Sequence, residues 1–129
     1  MAKATGIGGV FLTSKDPERT KHWYETVLGI RMDPHGHLFT EDEEAEGSLR
    51  TLQWSVLNWD DAYIQPTTEL FMVNYRVDDL DALVDELKQK GVQILDEIEA
   101  FSYGKFLHIL DRDGRKVELW EPLDETFEE

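Results

Sequence analysis

Apolar residues recur with two different periods along this chain, and the periods alternate in the same order twice. Residues 7–13 open in strand-like alternation, with Val10 and Leu12 set against Gly9, Phe11 and Thr13. Asp16-Pro17 then predicts a helix start. The Asp side chain can accept from unpaired first-turn N–H groups, and Pro at the first helical position gives up no hydrogen bond. Trp23, Tyr24, Val27 and Leu28 recur at helical spacing, and Gly29 supplies a stop. Short strands are expected at residues 30–33, 38–40 and 49–57.

Residues 58–69 carry Asn, Asp, Pro and Thr without a period and read as a linker. The pattern then restarts. A strand is expected over 71–77, and Asp78 or Asp79 caps a helix whose stripe is Leu80, Leu83, Val84 and Leu87. Gly91 ends that helix, and strands follow over 92–98, 105–110 and 116–121. Asp16 and Gly29 are separated by the same number of residues as Asp78 and Gly91. The chain therefore reads as an internal repeat: two βαβββ modules in tandem, residues 5–57 and 70–122, followed by an acidic tail at 123–129. The expected class is α+β, a single domain over residues 1–129 whose curved mixed sheet surrounds a cleft. Each module alone leaves one sheet face uncovered, and pairing two modules encloses a concave surface.

Strand alternation sorts side chains between the helix-packed face and the cleft. Gly9, Phe11 and Thr13 are expected on the cleft face of the first strand, and Met72, Asn74 and Arg76 on the strand that opens the second module. Lys116, Glu118 and Trp120 share that face, while Val117 and Leu119 pack under the helix. Asp111-Arg112-Asp113-Gly114-Arg115 suits a three-residue hairpin loop with Gly114 in the left-handed position. Asp111 then pairs with Arg115, which sets His108 opposite Glu118 and Phe106 opposite Trp120. His108 and Glu118 are thus the candidate acid–base or ligand-holding pair, since an imidazole facing a carboxylate is suited to taking up and returning a proton.

Composition narrows the function classes. Of 129 residues, 40% are hydrophobic and 11% aromatic, enough for a packed core. Cysteine is absent, which excludes disulfides and thiolate metal sites. The formal net charge is −15, and duplex binding rests on neutralising phosphates with Lys and Arg, so no nucleic-acid partner is expected. Anionic membrane surfaces are repelled for the same reason. Residues 41–46 and the acidic tail read as a solvated loop and terminus. No apolar stretch has signal-peptide or membrane-spanning length, so a cytoplasmic location is the expectation.

Three segments carry a family resemblance. Residues 9–29 contain Asp16-Pro17, Trp23-Tyr24 and Leu28-Gly29; residues 71–91 read FMVNYRVDDLDALVDELKQKG; residues 103–122 read YGKFLHILDRDGRKVELWEP. In this order they resemble the vicinal-oxygen-chelate superfamily, which spans glyoxalases, bleomycin-resistance proteins and extradiol dioxygenases. The resemblance implies a small-molecule cleft, and in many members a divalent metal held by His, Gln or Glu. The family's ligand positions fall at Gly9, near Trp54, at Met72 and at Glu118. Glu118 alone is a suitable donor, so neither a family metal site nor another cofactor is expected. A homodimer is implied by the resemblance alone.

Phe11, Trp54, Phe106 and Trp120 are candidate stacking residues for a planar ligand, although Trp54 suits core packing as well. Arg76 and Lys116 suit an anionic ligand or simply offset nearby acid. His35 and His37 flank Gly36 in a polar turn, and His22 lies beside the first helical stripe; all three read as surface histidines. Gly104, after Tyr103, reads as a hinge at the cleft mouth. Three functions compete: a metal-independent small-molecule-binding protein; a metal-dependent lyase, isomerase or dioxygenase in which His108 joins Glu118 and a third ligand comes from Gln53, Asn74 or a partner chain; and a regulatory or interaction protein that uses the acidic surface.

Overall fold

The computed structural model describes residues 2–3, 5–43, 48–68 and 70–123, and it divides into two compact units, Met1–Thr67 and Thr68–Glu129. The first unit runs β1 (Gly9–Ser14), α1 (Pro17–Leu28), β2 (His37–Glu43), β3 (Ser48–Asn58). Its sheet has the order β1-β3-β2, with β1 parallel and β2 antiparallel to β3. The second unit runs β4 (Val73–Arg76), α2 (Leu80–Gln89), β5 (Glu99–Phe101), β6 (Gly104–Leu110), β7 (Lys116–Glu121). Its order is β4-β7-β6-β5, again with the strand before the helix lying parallel to the last strand. The expected α+β class is what the structure has.

Both helices begin as their sequences predict. Asp16 accepts from the Arg19 N–H at α1, with Pro17 at the first helical position. At α2 the cap is Asp79, which accepts from the Ala82 N–H at 3.1 Å, and not Asp78. Glu121 adds a second acceptor there, taking the Leu80 N–H at 2.8 Å. Each α2 N–H so engaged would otherwise lack a partner within the helix.

The cores follow strand parity. In the first unit Tyr24 and Val27 of α1 pack with Leu12, Trp54 and Val56 of the sheet. In the second, Tyr75, Leu107, Ile109, Val117 and Leu119 are buried with Leu80 and Leu87 of α2. Burying each such side chain fully contributes roughly 1.5–3 kcal/mol. Lys105 lies on this same side of the sheet and reaches Asp81 of α2 at 2.7 Å.

Two expected strands take other forms. Residues 30–33 make only the single bridge Asp33–Gly36, so among the described residues the first unit carries three strands where four were expected. Ile30 belongs instead to the end of α1: its N–H bonds to the Tyr24 carbonyl, Gly29 bonds to Glu25, and the Ile30 side chain is buried there. Apolar residues just past a helix stop commonly serve this cap. Residues 92–98 form no continuous ladder: they meet β6 at the single bridge Ile94–Ile109 and through the Asp96 side chain, and the edge strand β5 starts at Glu99. The strand expected at 71–77 is paired only over Val73–Arg76, which leaves Phe71 and Met72 exposed.

Residues 58–69, expected as a linker, form turns up to Thr67 with a cis Gln65-Pro66 bond; Glu69 lies outside the described residues. So do residues 44–47 of the acidic loop and 124–129 of the tail. Among the described residues, no helix is long and apolar enough to cross a membrane.

Candidate functional site

The hairpin β6–β7 fixes the geometry of the candidate site. Its loop is held by Asp111, whose buried carboxylate accepts from the Asp113 and Arg115 N–H groups and pairs with the Arg115 guanidinium at 2.7 Å. Gly114 takes φ 83°, the left-handed conformation the loop requires. The resulting register sets Phe106 opposite Trp120 and His108 opposite Glu118, as the loop length predicts. On the other flank of β7, Asn74 lies beside Glu118 and Arg76 beside Trp120. Alternation turns all six of these side chains to the face opposite α2.

His108 is the centre of the polar part of this face. Its Nε2 lies 3.4 Å from Glu118 Oε1, and both side chains are about one-fifth exposed. Asn74 donates to Glu118 Oε2 at 3.1 Å. Asp96 completes the chain: its Oδ1 accepts from the His108 backbone N–H at 2.9 Å, and its Oδ2 lies 2.7 Å from Nδ1. Burial pushes the Asp96 carboxyl upward, but the hydrogen bonds from His108, its charge and that of Lys116 outweigh this and hold it below the usual carboxylate range. An ionised Asp96 brings no proton of its own, so Nδ1 must be the donor in this bond.

Aromatic side chains occupy the other end of the face. Phe101 stacks on Tyr103 with ring centroids 5.3 Å apart, and both residues are 44% exposed. Phe106 touches both and meets Trp120 edge-on at 6.1 Å. The Trp120 indole N–H bonds to the Tyr103 carbonyl, and Arg76 lies over the indole ring at 5.5 Å. Gly104 makes this packing feasible. A Cβ there would collide with Trp120 Nε1, so the residue is a close-approach point buried under the indole, not the hinge its sequence suggested.

The remaining predicted residues lie elsewhere. Trp54 is 1% exposed and packs on Tyr24 at 4.8 Å, on the α1 side of its sheet. Its expected role in stacking on a ligand is therefore corrected: no ring face is open. Phe11 is on the opposite side, partly exposed, with its edge toward Tyr63 at 6.2 Å. Met72 precedes β4, exposed and outside the paired ladder. His37 bonds through Nδ1 to the Arg31 carbonyl. His22 lines a shallow groove of about 570 Å³ with Glu18, Lys21, Glu25, Met32, Asp33 and Pro34. Sequence reasoning missed Asp96. The available signal was an acid within the apolar run 92–98, where a continuous strand would place apolar or ladder-compatible residues.

The family's metal-ligand positions do not fit a metal. Gly9 offers no donor, and a Cβ there would already meet the Phe11 ring and the Gln53 carbonyl at 3.1 Å. Trp54 is core, and Met72 is a thioether, a poor match for hard or borderline cations. Glu118 holds Asn74 and faces His108. The two ring nitrogens of His108 point to different carboxylates, so Asp96, His108 and Glu118 do not converge on one point. Among the described residues, no group of three or more His, Asp or Glu is arranged to hold a metal ion.

A sequence model described as the Glyoxalase/Bleomycin resistance protein/Dioxygenase superfamily matches residues 6–119. No curated relative matches the sequence. Among solved structures, TioX from Micromonospora sp. ML1 is 19% identical, with TM-score 0.63, over 92% of this chain and 100% of its own. TnmS3, an antibiotic binding protein from Streptomyces sp. CB03234, is 19% identical, with TM-score 0.60, over 95% and 100%. A superfamily member from Sphaerobacter thermophilus is 16% identical, with TM-score 0.60, over 92% and 98%. At these identities the likeness is one of fold.

Proposed function

Because the chain belongs to the glyoxalase/bleomycin resistance protein/dioxygenase superfamily, we propose that it binds a small planar organic molecule on the open face of its second unit, without a chelated metal. The observation that carries this reading is the aromatic group bordering a preset polar chain, in which Phe101 and Tyr103 are exposed and Phe106 and Trp120 partly so. Aromatic rings left this exposed keep a strong drive to be covered, and ring-on-ring contact adds about 0.5–1.5 kcal/mol beyond area burial. A similar fold in an antibiotic binding protein, TnmS3, supports the ligand class. The poor donor set at Gly9, Trp54 and Met72 supports binding that does not depend on metal.

In this reading Trp120 and Phe106 stack on the ligand, and His108, Glu118 and Asn74 meet its polar groups. Fluorescence titration with a panel of anthraquinones and naphthalenes, with chelator present, tests it. Saturable quenching is expected, weakened about tenfold or more in Trp120→Ala. Binding that needs an added divalent metal, or none at all across the panel, would overturn it. A His108→Ala protein with unchanged affinities would remove the polar chain from the site.

Catalysis is the second reading, favoured by the two-pronged hold of Asp96 on His108. An acid–base group must be oriented before it can act, and Asp96 fixes both the backbone and the ring of His108. Time-dependent conversion of a bound ligand, lost in His108→Ala, would distinguish it from binding alone. By family likeness the proposal includes a homodimer.

A further inference from the structure

The charges on the open face of the second unit are not equally engaged. Asp96 has both oxygens on His108, and Glu118 has one toward His108 and one on Asn74. Lys116 lies close enough to Asp96 to favour its ionised form. Glu99 shares the face but sits on β5, at the far edge of the sheet from β4. Three strand spacings put it roughly 14 Å from Arg76. Glu121 is turned to the other side, where it caps α2.

Arg76 differs from the chain's paired arginines. Arg19, Arg112 and Arg115 each hold an aspartate. Among the described residues Arg76 has no carboxylate partner, although the chain carries 28 acidic residues against 13 basic ones. It is exposed, and its guanidinium carbon lies over the Trp120 ring, 5.5 Å from the centroid. A cation–ring contact does not use the N–H groups of a guanidinium, so they are available to a planar anion.

We propose that Arg76 and Trp120 form an anion-selective subsite, so that the ligand of this face is an aromatic acid: a flat ring system carrying a carboxylate or equivalent anion. The ring covers the Phe106–Trp120 wall, and the anion takes the N–H fork of Arg76. Among the described residues neither neighbouring carboxylate pairs with Arg76: Asp96 holds His108, and Glu118 accepts from Asn74. This inference rests on the aromatic-ligand reading above and adds the charge of the ligand.

The test compares one ring with three head groups: anthracene carboxylate, anthracene methanol and aminomethyl anthracene, each titrated by tryptophan fluorescence. The wild-type protein should bind the carboxylate about tenfold or more tighter than the alcohol, and the ammonium weakest. Raising sodium chloride through physiological strength should narrow the gap between carboxylate and alcohol. Arg76→Gln should bring carboxylate and alcohol to parity, and Arg76→Lys should restore part of the preference. Equal affinity for all three head groups, or tightest binding of the ammonium, overturns the anionic assignment while leaving the aromatic reading intact. Failure of all three to bind overturns both.

Discussion

Asp96 holds the His108 imidazole and its backbone at once, and the effect on pH follows from its depressed carboxyl. A carboxylate ionising more readily in the folded chain than near its ordinary value of 3.8 stabilises the fold above that value. The contribution fades as pH falls through the lower folded value. Asp96 is well exposed, so solvent screening keeps the effect below about 1 kcal/mol. Asp96→Asn should be slightly less stable than wild type at neutral pH, and in acid melts the gap should begin to narrow near pH 3.8 and close only below the depressed folded value. A constant gap down to the acid limit would show that the charge plays no part. Residue by residue, the face opposite α2 was legible because hairpin register is a counting problem: Phe106, His108, Glu118 and Trp120 follow from the loop. Trp54 was ambiguous, since an isolated aromatic in a strand suits either face. Asp96 was hidden because its partner is supplied by tertiary folding and by no sequence neighbour.

At the scale of elements, both helices were readable from chemistry confined to a few residues. Asp16-Pro17 and Asp79 act locally, so nothing distant had to be known. Asp79→Ala should cost about 1 kcal/mol, lowering the melting temperature by several degrees. Glu121 still holds the Leu80 N–H, so a loss above about 2 kcal/mol would mean the cap carries more than α2. The misplaced strands share one cause: an apolar run does not say which group will cover it. Ile30 is covered by its own helix end. In 92–98 the backbone meets β6 through Leu95 and Gln93, and then the Asp96 side chain accepts the His108 N–H that a continuing strand's carbonyl would have taken.

At the scale of the whole molecule, the net charge of −15 opposes compaction, because like charges are drawn together on folding. Moderate sodium chloride screens this repulsion over a Debye length of about 8–10 Å. The melting temperature should therefore rise as salt is added from low ionic strength. A fall would mean that the favourable pairs, such as Lys105–Asp81 and Arg115–Asp111, outweigh the repulsion. The tandem repeat was legible because it needs only order and spacing, whereas the ligand class depends on which charges the fold leaves engaged.

The order β4-β7-β6-β5 makes β7 an interior strand, bonded on both sides. Backbone amides in such a position exchange with solvent only when the surrounding unit opens as a whole. Trp120 and Glu118 are thus carried on one of the slowest-breathing segments of the second unit. Anything that settles on them meets a surface already in its final form, and little ordering entropy is lost on arrival.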